Sequence, residues 1–402
     1  MNSQLAIDGG KPTHTTPWHP WPIFDENEEK NLLDVLHSGK WSELTGEYVH
    51  KFEKAFADFQ HARYGFCVPN GTLALELSLR ALNIRPGDEV ITTPYTFIAT
   101  TTTILTVGAV PVYVDIDPFT FNLNLNQIEN AITEKTKAIV PVHLAGRPVD
   151  MDRLLKIARD YKLHVIEDAC QAWGAEWKGK RVGALGDLGA FSFQLGKNLT
   201  AGEGGMVITN NSELADRCWS IKNVGRSRTG AWYEHFLIGA NLRLPEWEAA
   251  ILLAQLNRLI QHIPIREDNA RYLSTLFTNF PGLTPVPDDP HITSHGRHLF
   301  ILRYHPEYFG NKSRQDFLAA FRAEGISPVS AGYIPLHRSP AVMNAMRADH
   351  PEYDLSKVVL PVAESAGQDT IWINQNALLG SHEDMDHIFE AAVKIQKAWG
   401  YK

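Results

Sequence analysis

Cysteine is scarce in this chain of 402 residues: only Cys67, Cys170 and Cys218. An odd number so widely spaced suggests neither a disulfide framework nor a zinc site, and a reducing cytoplasm is the expected location. No apolar run reaches the roughly 18–20 residues that cross a bilayer. The opening stretch MNSQLAIDGGKP lacks a basic region ahead of an apolar one, so no signal peptide and no membrane partner are expected. Basic clusters are missing too. With 38 Lys and Arg against 46 Asp and Glu, the formal charge is −8, which argues against nucleic acid as a partner. Seventeen histidines are present without an HExxH signature, so no metal site is expected. No internal repeat or low-complexity segment occurs.

What remains is an ordinary globular composition, 44% hydrophobic and 21% charged. The length suits a large domain with a smaller one. From residue 65 to 209, strand and helix signals alternate. YGFCV, DEVITTP, VPVYVDID, KAIVPVH, HVIEDA, LGAFSF and GGMVIT read as strands. TLALELSLRAL, FIATTTTILTVG, NQIENAI and MDRLLKIARDY read as helices. That rhythm implies βαβ units and a mostly parallel sheet. Its near-continuous apolar strands suit a sheet covered on both faces. Ahead of it, Phe52, Phe56 and Phe59 recur at helical spacing, as a core-facing helix would. After it, residues 244–277 read as a long helix that Pro264 breaks or kinks. The Pro-, Asp- and His-rich stretch 281–297 reads as a loop, and the rest mixes strand and helix. The expected division is 1–265, a large domain with an N-terminal arm, and 266–402, a smaller C-terminal α+β domain.

Ligands of such sheets bind outside the carboxyl ends of the strands. The polar residues there therefore carry the chemistry. Asn70-Gly71-Thr72 follows a strand and opens a helix, an anion-binding geometry, although a plain helix cap reads the same way. Asp168 ends a buried strand, and Gln171 lies three residues on. Lys197 sits in FSFQLGKNLTAGEGG, Phe191 to Gly205. A phosphate-binding P-loop needs a glycine at 191 and Ser or Thr at 198, but Phe and Asn stand there. A surface lysine is the bland alternative. A partly buried lysine with a lowered pKa is an amine nucleophile suited to a Schiff base. Pyridoxal 5′-phosphate (PLP) would account for the set together: Lys197 for the imine, Asp168 for the pyridinium nitrogen, and Gly71 and Thr72 with Ser192 for the phosphate. Phe97, just past a strand end, is placed to cover the ring, or simply to pack in the core.

NGTLALELSL, PYTFIATT, EDACQAWGA, FSFQLGKNLTAGEGG and GANLRLPEWEAAIL, in that order, resemble the DegT/StrS-type aminotransferases of PLP fold type I. The resemblance runs from GKWSELTGEYVHKFE to GYIPLH. It implies that Lys197 forms the Schiff base and that Asp168 holds the ring nitrogen. It places Gln171 at the cofactor's 3-hydroxyl, Gly71, Thr72 and Ser192 in the phosphate cup, and Phe97 on the ring. It also implies that Asn241 reaches the phosphate of the neighbouring subunit, so that active sites are shared in a homodimer. Gln194 departs from the SFH common among the sugar-nucleotide enzymes. With VHLAG and IWINQNALLG, it resembles the branch of glutamine:scyllo-inosose aminotransferases and aminohydroxybenzoate synthases.

The expected function is transfer of an amino group from glutamate or glutamine to a keto sugar or cyclitol ketone. The alternatives are the aromatising reaction of the synthases and a PLP-binding regulatory protein without turnover. Tyr333 and His337, in GYIPLH, are candidate acceptor contacts alongside Gln194. Arg243 reads either as a donor-carboxylate ligand or as a brace for Glu246.

Overall fold

The structure, a computed structural model, describes residues 4–400. Seven strands form the central sheet: β1 (Tyr64–Val68), β2 (Glu89–Thr92), β3 (Val110–Tyr113), β4 (Thr136–Val140), β5 (His164–Asp168), β6 (Leu188–Ser192) and β7 (Gly205–Thr209). Their spatial order is β1-β7-β6-β5-β4-β2-β3. The run from β6 to β3 is parallel, as the alternating signals predict, while β7 is antiparallel to both its neighbours. The reason is local. A parallel return needs a crossover of a dozen or more residues, and the chain between β6 and β7 forms the lysine loop instead of a helix. Every residue of β2, β6 and β7 is buried, as packing on both faces requires.

The three spaced phenylalanines lie on the helix Tyr48–Phe59. Phe56 meets Phe191 and Phe193 edge-on at 5.0 and 5.3 Å, and Phe52 meets Phe193 at 5.3 Å. This aromatic cluster anchors the end of β6, from which the lysine loop starts. The helix is capped from elsewhere in the chain. Glu246 Oε2 accepts from the amides of Glu47 (2.8 Å) and Tyr48 (2.7 Å), and its Oε1 from Val49 (3.1 Å). Glu246 therefore answers the orphan donors of a helix start. Arg243 does not brace it but donates to Asn223 Oδ1 at 3.3 Å.

The long helix runs unbroken over Glu246–Phe277 with Pro264 inside it. Pro264 lies near exposed Ile260 and Gln261, so solvent can reach the carbonyl it leaves without a donor. The expected division at 265/266 falls within this helix. Its first half packs Ala249, Leu252, Leu256 and Leu259 into the core of the seven-stranded sheet. Its second half packs Ala270, Leu273 and Phe277 into another core. That second core lies against an antiparallel sheet of β8 (Leu283–Pro285), β9 (Leu299–Tyr304), β10 (Val329–Ala331) and β11 (Thr370–Asn374), ordered β8-β9-β11-β10. The stretch 281–297 is not purely loop: it holds β8 and the short strand Ile292–Ser294, which pairs with Glu176–Trp177. The N-terminal arm joins the second core through Leu5. Glu324 accepts from the Ala6 and Thr13 amides, and Trp18 Nε1 donates to the Gly325 carbonyl. Among the described residues no helix is long and apolar enough to cross a membrane.

Candidate active site

A cavity of about 570 Å³ opens at the carboxyl ends of β1, β2, β4, β5 and β6. Its walls include Gly71, Thr72, Phe97, Asp168, Gln171, Ser192, Gln194 and Lys197, so eight of the residues singled out in the sequence meet there.

Asn70 caps the helix Gly71–Ala81. Its Oδ1 accepts from the Leu73 amide at 2.9 Å, and its carbonyl from the Ala74 amide at 3.1 Å. The amides of Gly71 and Thr72 have no intrahelical acceptor, which suits an anion. A Cβ on Gly71 would lie only 2.7 Å from Ser192 Cβ, so glycine is what lets the helix start approach β6. Ser192 is itself buried at the end of that strand.

Asp168, 5% exposed, is held from two sides. Thr100 donates its hydroxyl to Oδ2 at 2.8 Å, and the Cys170 amide donates to Oδ1 at 3.2 Å. Thr96 and Thr100 share a further hydroxyl contact at 3.1 Å. Thr100 escaped the sequence reading. The available signal was a threonine-rich run inside a helix, where β-branched residues are poor helix formers and a buried hydroxyl needs a partner. Cys170 also lines the cavity, and burial pushes its thiol well above the ordinary range, so it stays protonated.

The lysine loop is closed at its base. The Phe193 carbonyl accepts from the Ala201 amide (3.2 Å) and the Thr200 hydroxyl (3.0 Å), while the Phe193 amide donates to Gly204 (2.8 Å). At its tip the Lys197 amide turns back onto the Gln194 carbonyl at 2.9 Å. Asn198 ties the far side down, donating to the Gly296 carbonyl at 2.8 Å and meeting His298 Nδ1 at 3.0 Å. The Lys197 ammonium stands 5.9 Å from the Trp173 ring centroid. Burial lowers its pKa from the ordinary lysine value, an effect that the nearby Cys170 and Asp168 oppose. A lysine with its pKa lowered by burial can serve as an amine nucleophile.

The orientation of the Gln171 amide follows from its partners. Its Oε1 accepts from the Ala145 amide at 2.7 Å, so Nε2 is the donor to the Tyr333 hydroxyl at 3.1 Å. Tyr333 is wedged edge-on against Trp372 (4.6 Å) and Tyr95 (6.0 Å), and burial raises its pKa. Tyr333 thus reaches the site through Gln171 without lining the cavity. His337 does not reach it. It is fully buried, bonded to Glu364 at 3.0 Å, with its pKa lowered by burial. Asn241 also lies outside the cavity, exposed on the surface, and the chain just before it exposes Trp232, Tyr233, Phe236 and Ile238. Phe97 is 56% exposed at the cavity wall, and Gln194 accepts from the Gly196 amide at 2.8 Å. His143, at another strand end, is a strut. The Val149 amide donates to its Nδ1, so Nε2 carries the proton shared with Glu167 at 3.0 Å.

This geometry has parallels in known proteins. Over 422 residues the chain is 36% identical to the L-glutamine:2-deoxy-scyllo-inosose aminotransferase of Streptoalloteichus tenebrarius, covering 100% of this chain and 99% of that one. The crystal structure of 3-amino-5-hydroxybenzoic acid synthase superposes with a TM-score of 0.86 at 32% identity, covering 96% and 99%. A Streptococcus pneumoniae protein assigned to the sugar aminotransferases, solved in both PLP-form and PMP-form, superposes at 0.84 in each. In the PLP-form it is 28% identical, covering 96% and 100%. Residues 22–393 match the DegT/DnrJ/EryC1/StrS aminotransferase family, to which this chain therefore belongs.

Proposed function

We propose that this aminotransferase uses PLP to move the amino group of glutamine or glutamate onto a cyclitol ketone or keto sugar. It works as a cytoplasmic homodimer. The observation that carries the reading is the convergence on one cavity of a lysine with a lowered pKa, a doubly held carboxylate and an anion cradle. The volume lies within the roughly 300–1,000 Å³ of small-molecule sites. The residues fit the cofactor: the cradle at Gly71 is one a Cβ would fill, and the donors around it suit a phosphate. Bound PLP would supply an electron sink for the pair left on the donor's α-carbon.

The chain's own residues do the rest. Lys197 Nζ would hold the cofactor through its aldehyde. Freed from that role, the same amine could take a proton from the donor's α-carbon and give it up again, so Lys197 would be both anchor and general acid–base. Asp168, fixed by Thr100 and the Cys170 amide, would hold the proton on the ring nitrogen. Gln171 Nε2, which also donates to Tyr333, would have a second N–H for the ring oxygen. The amides of Gly71 and Thr72 and the hydroxyls of Thr72 and Ser192 would hold the phosphate, and Phe97 would cover the ring. Asn241 serves the partner's site; the exposed apolar side chains in the chain segment that precedes it suit burial in a dimer. Gln194 stands on the acceptor side, with Tyr333 behind Gln171; the burial of His337 supports packing as its role.

Borohydride treatment of the holoenzyme should fix the cofactor to the peptide containing Lys197, and a label elsewhere would end this reading. Offering cyclitol ketones, keto sugars and nucleotide keto sugars to the pyridoxamine form identifies the acceptor. The overlay on the benzoate synthase favours a second reading, the aromatising reaction with Lys197 as base. An ultraviolet-absorbing aromatic product separates the two.

A further inference from the structure

The geometry points to a divalent transition-metal site of the zinc type, built from His14, Asp384 and His387, that clamps the N-terminal arm to the C-terminal helix. One ligand atom from each of the three lies within 4.8 Å of the others. Asp384 and His387 are three residues apart on the helix His382–Ala398, hence on one face. His14, 3% exposed, comes from the arm and places Nε2 at 3.0 Å from Asp384 Oδ1 and 3.1 Å from Thr16 Oγ1.

Each ligand is already oriented. Trp18 stacks on the His14 ring at 4.1 Å. The amide and hydroxyl of Ser381 hold the second oxygen of Asp384 at 2.7 and 2.9 Å. The His387 ring meets that of His14 edge-on, with centroids 5.4 Å apart.

A hydrogen bond between His14 and Asp384 accounts for two of the three groups but not for the third. The buried Nδ1 of His387 has no partner, which a buried polar atom rarely tolerates. A tetrahedral zinc with bonds of about 2.0–2.2 Å sets its ligands roughly 3.3 Å apart, so small side-chain rotations close the site. Two imidazoles and a carboxylate suit zinc, with water in the fourth position. The sequence hid this set because its members lie 370 residues apart.

The clamp bears on the active site through the arm. Seven residues beyond His14, Trp21 Nε1 donates to the Leu195 carbonyl at 2.7 Å, two residues before Lys197. A metal at His14 therefore orders the segment that contacts the lysine loop.

The test is Zn²⁺ titration of the chelator-treated, full-length holoenzyme against a chromogenic competitor, with Co²⁺ as the spectroscopic probe. The expected results are one tight Zn²⁺ per chain, a raised melting temperature, and the intense visible bands of low-coordinate Co²⁺. His387→Ala, which breaks no hydrogen bond, should weaken binding by at least about 100-fold. His14→Gln, which keeps a donor for Asp384, should do the same. Wild type binding Zn²⁺ no more tightly than His387→Ala, or showing the same Co²⁺ spectrum, would overturn the proposal.

Discussion

Replacing Gly71 with alanine would place a Cβ 2.7 Å from Ser192 Cβ, 3.1 Å from Cys170 Sγ and 3.2 Å from Ser192 Oγ. Carbon atoms rest about 3.5–4.0 Å apart, so the overlap approaches 1 Å. Ser192 cannot yield, because it is paired with Gly205 inside the sheet. The helix start must withdraw instead, at an overpacking cost of about 1–3 kcal/mol. It takes the Gly71 and Thr72 amides with it, and a misplacement of about 1 Å in a binding constellation can cost on the order of 100-fold. PLP titration of the apoprotein, followed by absorbance, should show affinity weakened about 10- to 100-fold, or ~1.4–2.7 kcal/mol. Gly196→Ala is the control in the lysine loop: its nearest neighbour would be Gln194 Oε1 at 3.4 Å, so the fold should tolerate it. The double variant Gly71→Ala/Ser192→Gly removes the clashing atom and should recover melting temperature but not full PLP affinity. A Gly71→Ala protein that melts normally and takes up PLP within twofold of wild type would refute the cradle.

Lys197 carries a stability cost in the apoprotein. Its folded pKa lies below the ordinary 10.5, so the unfolded chain holds the proton more tightly. Stability therefore rises with pH between the lowered value and 10.5. Apo Lys197→Met should melt higher than apo wild type near neutral pH and lose that upward slope; an equal or lower melting temperature contradicts the burial argument. Tyr333→Phe removes a neutral hydrogen bond to Gln171, a loss of about 0.5–1.5 kcal/mol. Turnover should fall about two- to tenfold, and a fall beyond 100-fold would mean the hydroxyl touches the reacting atoms. Glu246→Gln sets an amide against three helix-start N–H groups and should lower unfolding free energy by about 1.5–3 kcal/mol in urea melts. An unchanged midpoint would remove Glu246 from its capping role.

The sequence by itself determined the βα rhythm and the positions where it breaks. Strand and helix periods are local properties, and the rule that ligands sit at strand carboxyl ends is topological. Gly71, Asp168, Ser192 and Lys197 could therefore be singled out from short stretches of chain. Tertiary structure decided what holds them. Thr100 finds Asp168 across 68 residues, Tyr333 finds Gln171 across 162, and Glu246 caps the Tyr48–Phe59 helix across 198. It also buried His337 against Glu364. Each outcome depends on which distant atoms arrive within about 3 Å of a polar group that has left water, and sequence spacing carries no record of that distance.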